Sequence, residues 1–415
     1  MKELPETTET ITISREDRNH RQSLIHWWDQ SRVAKARILV VGAGALGNEI
    51  LKLLALTGIG ANLLFDLDII ERSNLSRAVL FRETDEGHYK AEVAARRMVE
   101  INPETRAVGH AYNIEHKVGL GAFLWADVVI CGLDNRAARI FVNSACARVG
   151  RAWIDGGIEG LSGYVRVFDP ARTACYECTM NETDRREAAR RRSCAMLARN
   201  DVARGRVPTT AVAGSLVAAL QVQEAIKFLH GQPTLYGEGL YVQGLWNDFS
   251  RVSYQRRPDC PGHDSLEKII PLGCGVADLS LRELLDRAEN ALGEGAALDL
   301  SRDVITHLSC PNCGDVEKCG VPLGAVREED ASCPRCRTHR LVEFTSAISR
   351  DGGLDLSDTL ADLGVPPFDV VVARQGLEAR EAWLFDGDAQ AALGPLADTF
   401  DVAGLSTQIS TKGGT

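Results

Sequence analysis

The chain has 415 residues, 45% of them hydrophobic and 25% charged, with a formal net charge of −10. That length exceeds one modest core and predicts a large first domain with smaller ones after it. No run of about 18 uncharged apolar residues is present to span a bilayer, the acidic balance argues against nucleic acid, and Met1 to Arg21 lacks an apolar signal region, so a cytoplasmic protein with protein or nucleotide partners is expected.

The first half alternates short apolar, β-branched runs with helical patterns, the signature of parallel βαβ units and a Rossmann-like, doubly wound α/β sheet. Strands are expected at Arg37 to Val41, Leu63 to Phe65, Ala107 to His110, Val128 to Cys131 and Ala152 to Ile154. The intervening helices fall at Asn48 to Leu56, Lys90 to Glu100 and Ala137 to Val149. Hairpin-like alternation follows through Tyr164, Arg166 and Phe168, then an Arg-rich, apolar-poor segment from Asn181 to Arg206 that reads as a surface linker. A long apolar helix is expected at Ala211 to Leu229, and strand-like sequence runs from Leu240 to Tyr254. Beyond Leu279 come a helix, a cysteine-rich region, and the runs Asp369 to Arg374 and Glu381 to Phe385, which suggest a hairpin. A boundary near Asp299 to Asp303 divides the chain into 1–300, a zinc ribbon at 301–340, and a small α+β region at 341–415. Thr359 to Phe368 with the last two runs suits either a ubiquitin-like fold or a capping hairpin.

Twelve cysteines without an export signal read as metal ligands and reactive thiols rather than disulfides. Cys175 and Cys178 supply half a tetrahedral Zn²⁺ site, and Cys260 with His263 is the candidate second half. Cys310, Cys313, Cys333 and Cys336 form C-x2-C-x19-C-x2-C, a zinc-ribbon pattern in one short segment. Such a segment buries little apolar surface, so a structural metal would supply much of its folding free energy.

Gly42-Ala43-Gly44-Ala45-Leu46-Gly47, between an apolar strand and a helix, fits a phosphate-binding turn, because glycines let backbone amides approach an anion at a helix N-terminus. Asp66 ends the next strand and is placed to accept a ribose hydroxyl. Up to here a nicotinamide enzyme would be served equally well. Ser73-Asn74-Leu75-Ser76-Arg77, Lys90 and Asp134-Asn135 then bring two cations and an acid to the same sheet edge, which suits a nucleotide losing pyrophosphate better than a hydride carrier.

With G-x-G-x-x-G, D-x-D-x-I-x-x-S-N-L-x-R beginning at Asp66 and Asp68, the Lys90-Ala91 helix, Leu133-Asp134-Asn135 and Cys175-x-x-Cys178 in order, the block Arg37 to Cys178 resembles the superfamily of ThiF, molybdopterin-synthase-activating and ubiquitin-activating enzymes. Arg18 to Gln22 resembles its R-x-x-R-Q element, and the likeness runs on to about His263. It implies ATP as the nucleotide, with Asp66 holding the ribose and Asn74, Arg77 and Lys90 the phosphates. Asp134 would coordinate Mg²⁺ or align the substrate carboxylate, Asp68 and Asn135 fall in the same nucleotide-binding set, and Arg21 would reach the partner's ATP in a homodimer. In this family the second zinc pair is usually C-P-x-C, so His263 departs from it while keeping four N or S ligands.

Cys194 follows Arg185, Arg186, Arg190, Arg191 and Arg192, and nearby positive charge favours a thiolate. Together with Pro208-Thr209-Thr210 it is similar to compact activating enzymes of ubiquitin-like proteins, whose catalytic cysteine precedes a P-T-T element, although more residues intervene here. The implied activity is adenylation of the C-terminal glycine of a ubiquitin-like protein, thioester formation on Cys194, and transfer to an E2-like conjugating protein. The alternatives are a sulfur-carrier adenylyltransferase that stops at the acyl-adenylate and a non-catalytic scaffold of the same fold.

Overall fold

The computed structural model describes residues 18–186, 208–326, 331–376, 379–402 and 404. Five parallel strands, β1 (Arg37–Val41), β2 (Ala61–Phe65), β3 (Arg106–His110), β4 (Val128–Cys131) and β5 (Trp153–Glu159), stand in the order β3-β2-β1-β4-β5. Antiparallel β6 (Ser162–Phe168), β7 (Glu238–Gln243) and β8 (Asp248–Ser253) extend the same sheet to eight strands.

Alternation along β1 explains the two layers. Ile38 and Val40 point into one core with Ile50, Leu54, Val217 and Val222, while Leu39 and Val41 point into the other with Phe123, Trp125, Val142 and Phe168. Strands buried on both faces need helices on both, which gives continuous apolar runs instead of polar alternation. The covering helices are α1 (Ala45–Thr57), α2 (Lys90–Ile101), α3 (Arg136–Arg148) and α4 (Ala211–Leu229). By length and composition alone α4 could cross a membrane. Here it lies against the sheet, with Val217, Ala218 and Ala225 buried and Gln221 Nε2 donating to the Cys131 carbonyl at 2.8 Å. Thr210 caps it, its hydroxyl accepting from the Ala213 N–H at 3.2 Å.

A second sheet has the order β11-β10-β13-β14-β9, with β12 also paired to β10. It is built from β9 (Ile269–Pro271), β10 (Ala297–Ser309), β11 (Val316–Pro322), β12 (Leu341–Ile348), β13 (Val370–Gln375) and β14 (Ala379–Leu384). Helix α5 (Leu281–Leu292), started by a Ser280–Glu283 capping box, packs Leu284 and Leu285 against Leu298, Val371 and Trp383. The hairpin expected in the last hundred residues is β13–β14. The stretch Asp299 to Asp303 lies inside β10, and β9 joins the second sheet from before it. The charges at the expected boundary are paired in the strand: Asp299 Oδ1 accepts from Arg374 Nε at 2.7 Å, and Arg302 meets the fully buried Asp369 at 3.3 Å.

The two sheets share a core. Phe368, Val370, Leu393 and Leu396 belong to the same buried cluster as Phe123 and Trp125. The Gly121 N–H donates to the Phe368 carbonyl at 2.9 Å, and Trp125 Nε1 donates to Thr399 Oγ1 at 2.8 Å.

Candidate functional site

The turn between β1 and α1 brings three glycines from two loops into contact. Gly42 has φ of +95°, and a Cβ there would sit 2.6 Å from the Gly132 carbonyl oxygen. A Cβ on Gly47 would lie 1.9 Å from the Gly42 carbonyl oxygen, so Gly47 serves close packing of α1 on the turn. Gly44 is the N-cap of α1, and a Cβ there meets nothing within 4 Å. The helix N-terminus therefore opens onto empty space, which suits an anion.

At the end of β2, Asp66 accepts from the Ala43 N–H at 2.6 Å and from the Asp68 N–H at 2.9 Å. Burial raises the pKa of its carboxyl, against the opposing pull of the Ala43 N–H and the Lys90 charge. Lys90, the first residue of α2 and 8% exposed, reaches Asp68 Oδ2 at 2.7 Å. Arg77 Nη1 donates to the Ser73 carbonyl at 2.6 Å, and Asn74 Oδ1 accepts from the Glu71 N–H at 3.0 Å. Asp134 is exposed just past β4. Asn135 caps α3 through the Ala138 N–H at 2.8 Å, with its amide 3.5 Å from Asp134 Oδ1.

These residues converge. Gly42, Gly44, Asp66, Asp68, Asn74, Arg77, Lys90, Asp134 and Asn135 all line one cleft of about 1090 Å³, with Gly47 packed beneath it. Arg21, exposed on the short helix His20–Ser23, is outside the lining of its own chain's cleft. Cys194 lies outside the described residues. The chain on either side of 187–207 borders the cleft: Asp184 pairs with the cleft residue Arg136, and Thr209 lines the cleft itself.

The sequence reading missed Gly132, Arg139 and the wall Tyr112 to Glu115. Gly132 was legible as the glycine directly after β4. Arg139 stands one helical turn beyond Asn135 on α3, the spacing that puts two side chains on one face. Its Nε donates to Asp155 Oδ1 at 2.8 Å, while Arg166 Nη2 donates to Asp155 Oδ2 at 2.5 Å. Burial pulls both guanidinium pKa values down, but the fully buried Asp155 more than offsets it and raises them. Two cations on one anion leave a surplus positive charge beside the cleft.

Both cysteine clusters close. The ligand atoms of Cys175, Cys178, Cys260 and His263 lie within 4.8 Å of one another, as do those of Cys310, Cys313, Cys333 and Cys336. His263 Nδ1 donates to the Pro170 carbonyl at 3.0 Å, which turns the Nε2 lone pair toward Cys178 Sγ at 3.2 Å, the tautomer a metal needs. In the second cluster each knuckle folds alike: the Gly314 N–H reaches the Cys310 carbonyl at 3.0 Å and the Arg337 N–H the Cys333 carbonyl at 2.9 Å, with positive φ at Gly314 and Arg337. Both donor sets fit tetrahedral Zn²⁺. Cys131 and Cys146 are fully buried, and burial raises their thiol pKa values well above the usual range, which removes them as nucleophiles.

Comparison with known proteins agrees with this geometry. A sulfur carrier protein adenylyltransferase of Thermus thermophilus is 33% identical over 260 residues, covering 59% of this chain and 89% of that protein. A ubiquitin-like modifier-activating enzyme 5 of Oryza sativa subsp. japonica is 30% identical over 251 residues, covering 55% of this chain and 56% of its own length. A Nedd8-activating enzyme E1 catalytic subunit of Drosophila melanogaster is 40% identical over 160 residues, with 35% of each chain covered. The match thus spans about half or less of these last two relatives. Among solved structures, E. coli MccB with ATP superposes with a TM-score of 0.50 at 26% identity, covering 61% of this chain and 75% of that one. The ThiF family model matches residues 16–262. With the glycine turn, the charged cleft and a family match over more than half its length, the chain belongs to the ThiF family.

Proposed function

We propose that this chain activates the C-terminal glycine of a ubiquitin-like protein. The terminal carboxylate attacks the α-phosphorus of ATP, the bond to the leaving pyrophosphate breaks, and an acyl-adenylate forms. The observation that carries this is the meeting of Arg77, Lys90 and Asp134 with the glycine turn in one cleft. Hydride transfer makes no use of two such cations, whereas attack on a triphosphate needs its charge neutralised and the phosphorus held in line. Asp66 would take the ribose; Asn74, Arg77, Lys90 and the α1 N-terminus would take the phosphates. Asp68 holds Lys90 at 2.7 Å and would steady it. A magnesium ion bound with the nucleotide would screen phosphate charge, and the exposed Asp134 suits holding it or aligning the carboxylate. Arg21, outside its own cleft, would serve the partner's ATP in a homodimer.

In the second step the Cys194 thiolate would attack the acyl carbon, form a thioester, release AMP, and pass the acyl group to an E2-like conjugating protein. The basic residues before Cys194 support a thiolate there, and the cleft-side position of Asp184 and Thr209 supports its access. A second activity is favoured by one observation. The Thermus thermophilus sulfur carrier protein adenylyltransferase is covered over 89% of its length, which supports an enzyme that stops at the acyl-adenylate.

ATP–pyrophosphate exchange with a ubiquitin-like carrier ending in Gly-Gly tests the adenylation step. Asp134→Ala and Lys90→Ala are each expected to lower exchange by about 100-fold or more, the effect of removing a group aimed at developing charge. Exchange at the unsubstituted rate in Asp134→Ala would overturn the assignment.

A further inference from the structure

One wall of the cleft is built by Tyr112 to Glu115, the link that leaves β3. Its inner side faces the cleft, and its outer side is held by the second sheet. Arg302 Nη1 donates to the Glu115 carbonyl at 2.8 Å and Nη2 to the Val118 carbonyl at 3.0 Å. The same guanidinium meets Asp369 Oδ2 at 3.3 Å, and Asp369 Oδ1 accepts from the Leu120 N–H at 2.8 Å. The Arg302 side chain is 7% exposed and that of Asp369 fully buried, so the fork is held in one geometry. It is aimed there because β10 loses register with β12 between Asp299 and Val304, and such a bulge redirects a side chain. A second clamp sits beside it: His116 packs on Gly324, where a Cβ would fall 2.5 Å from the ring Cε1. Gly324 lies in the turn Leu323–Ala325 that follows β11, whose Leu323 packs with Ile305, Leu308 and Ala331 in the core beside the second cysteine cluster.

We infer that Arg302 and the His116–Gly324 contact are positioning elements for the nucleotide cleft, so that the C-terminal domain sets ATP affinity through the Tyr112 to Glu115 wall. None of these groups lines the cleft with its own side chain. They act through the carbonyls of Glu115 and Val118 and through the ring of His116, which fix the wall relative to the sheet. This rests on the nucleotide assignment above and adds a domain to it.

The test is calorimetric binding of ATP with Mg²⁺ to the full chain, with zinc content and unfolding midpoint measured on each variant. Gly324→Ala pushes on His116 without unpairing a buried charge, and is expected to weaken ATP binding about tenfold, a coupling of ordinary size between two sites. Adding His116→Ala makes room for the new methyl and is expected to restore most of that loss, a rescue that general destabilisation would not give. Arg302→Lys keeps the charge but loses the two-pronged grip, and should also weaken ATP. Unsubstituted ATP affinity in both Gly324→Ala and Arg302→Lys, alongside loss of binding in Asp66→Ala, would overturn the inference and leave the nucleotide site standing. Absence of ATP binding by the unsubstituted chain would overturn both.

Discussion

Residue by residue, several of the cleft's charged side chains are already engaged with protein partners. Lys90 sits on Asp68 and Asp66 on the Ala43 and Asp68 amides, so a nucleotide bound as proposed would meet preset side chains instead of recruiting loose ones. Asp66 gives a pH prediction. Burial raises the pKa of its carboxyl above that of an exposed aspartate, and in the proposed role of ribose acceptor its ionised form would bind the hydroxyls more strongly. ATP affinity should therefore fall on acidification before an exposed aspartate would protonate, and Asp66→Asn should flatten that dependence; titration of ATP binding downward from neutral pH checks it. Most of these residues were legible because each motif ties a residue type to a strand end. Arg139 and the Tyr112 to Glu115 wall were not: no motif marks Arg139, whose partner Asp155 lies on the next strand, and the wall is held by Arg302, far away in sequence.

Among the elements, the glycine turn separates a packing position from one that faces open cleft. A methyl on Gly47 would strike the Gly42 carbonyl at 1.9 Å, whereas one on Gly44 would enter open cleft. Gly47→Ala should lower stability by roughly 1–3 kcal/mol as an overpacked contact. Gly44→Ala should fold with nearly unchanged stability yet lose nucleotide affinity, because its methyl takes up anion space; paired denaturation and ATP-binding measurements separate the two. The parallel strands were readable for a simple reason: residues buried on both faces leave apolar runs, and β1 and β4 begin and end where the sequence places them. β10 was hidden for the opposite reason. Asp299, Arg302 and Asp303 interrupt it with charge, and only the second sheet reveals that Arg374 and Asp369 answer two of them.

Across the whole molecule, two cysteine clusters whose donor atoms fit zinc serve two sheets that share one core. The Cys175 cluster ties the chain after β6 to the chain after β8, and the Cys310 cluster ties the turn between β10 and β11 to the chain just before β12. Elemental analysis of the full chain is expected to give two zinc equivalents. Cys333→Ser should remove one of them and unfold the ribbon first, since a structural zinc supplies on the order of 10 kcal/mol to so small a module. One retained equivalent with an unaltered ribbon would contradict that role.

The proposed adenylation, AMP placed by this cleft on the terminal carboxyl of a ubiquitin-like protein, is tested by intact-mass spectrometry of the chain mixed with ATP, Mg²⁺ and carriers ending in Gly-Gly. The expected result is a carrier bearing one AMP at its C-terminus, lost in Asp134→Ala, and a thiol-labile covalent complex that disappears in Cys194→Ala. A chain that binds ATP but leaves every such carrier unmodified would contradict it.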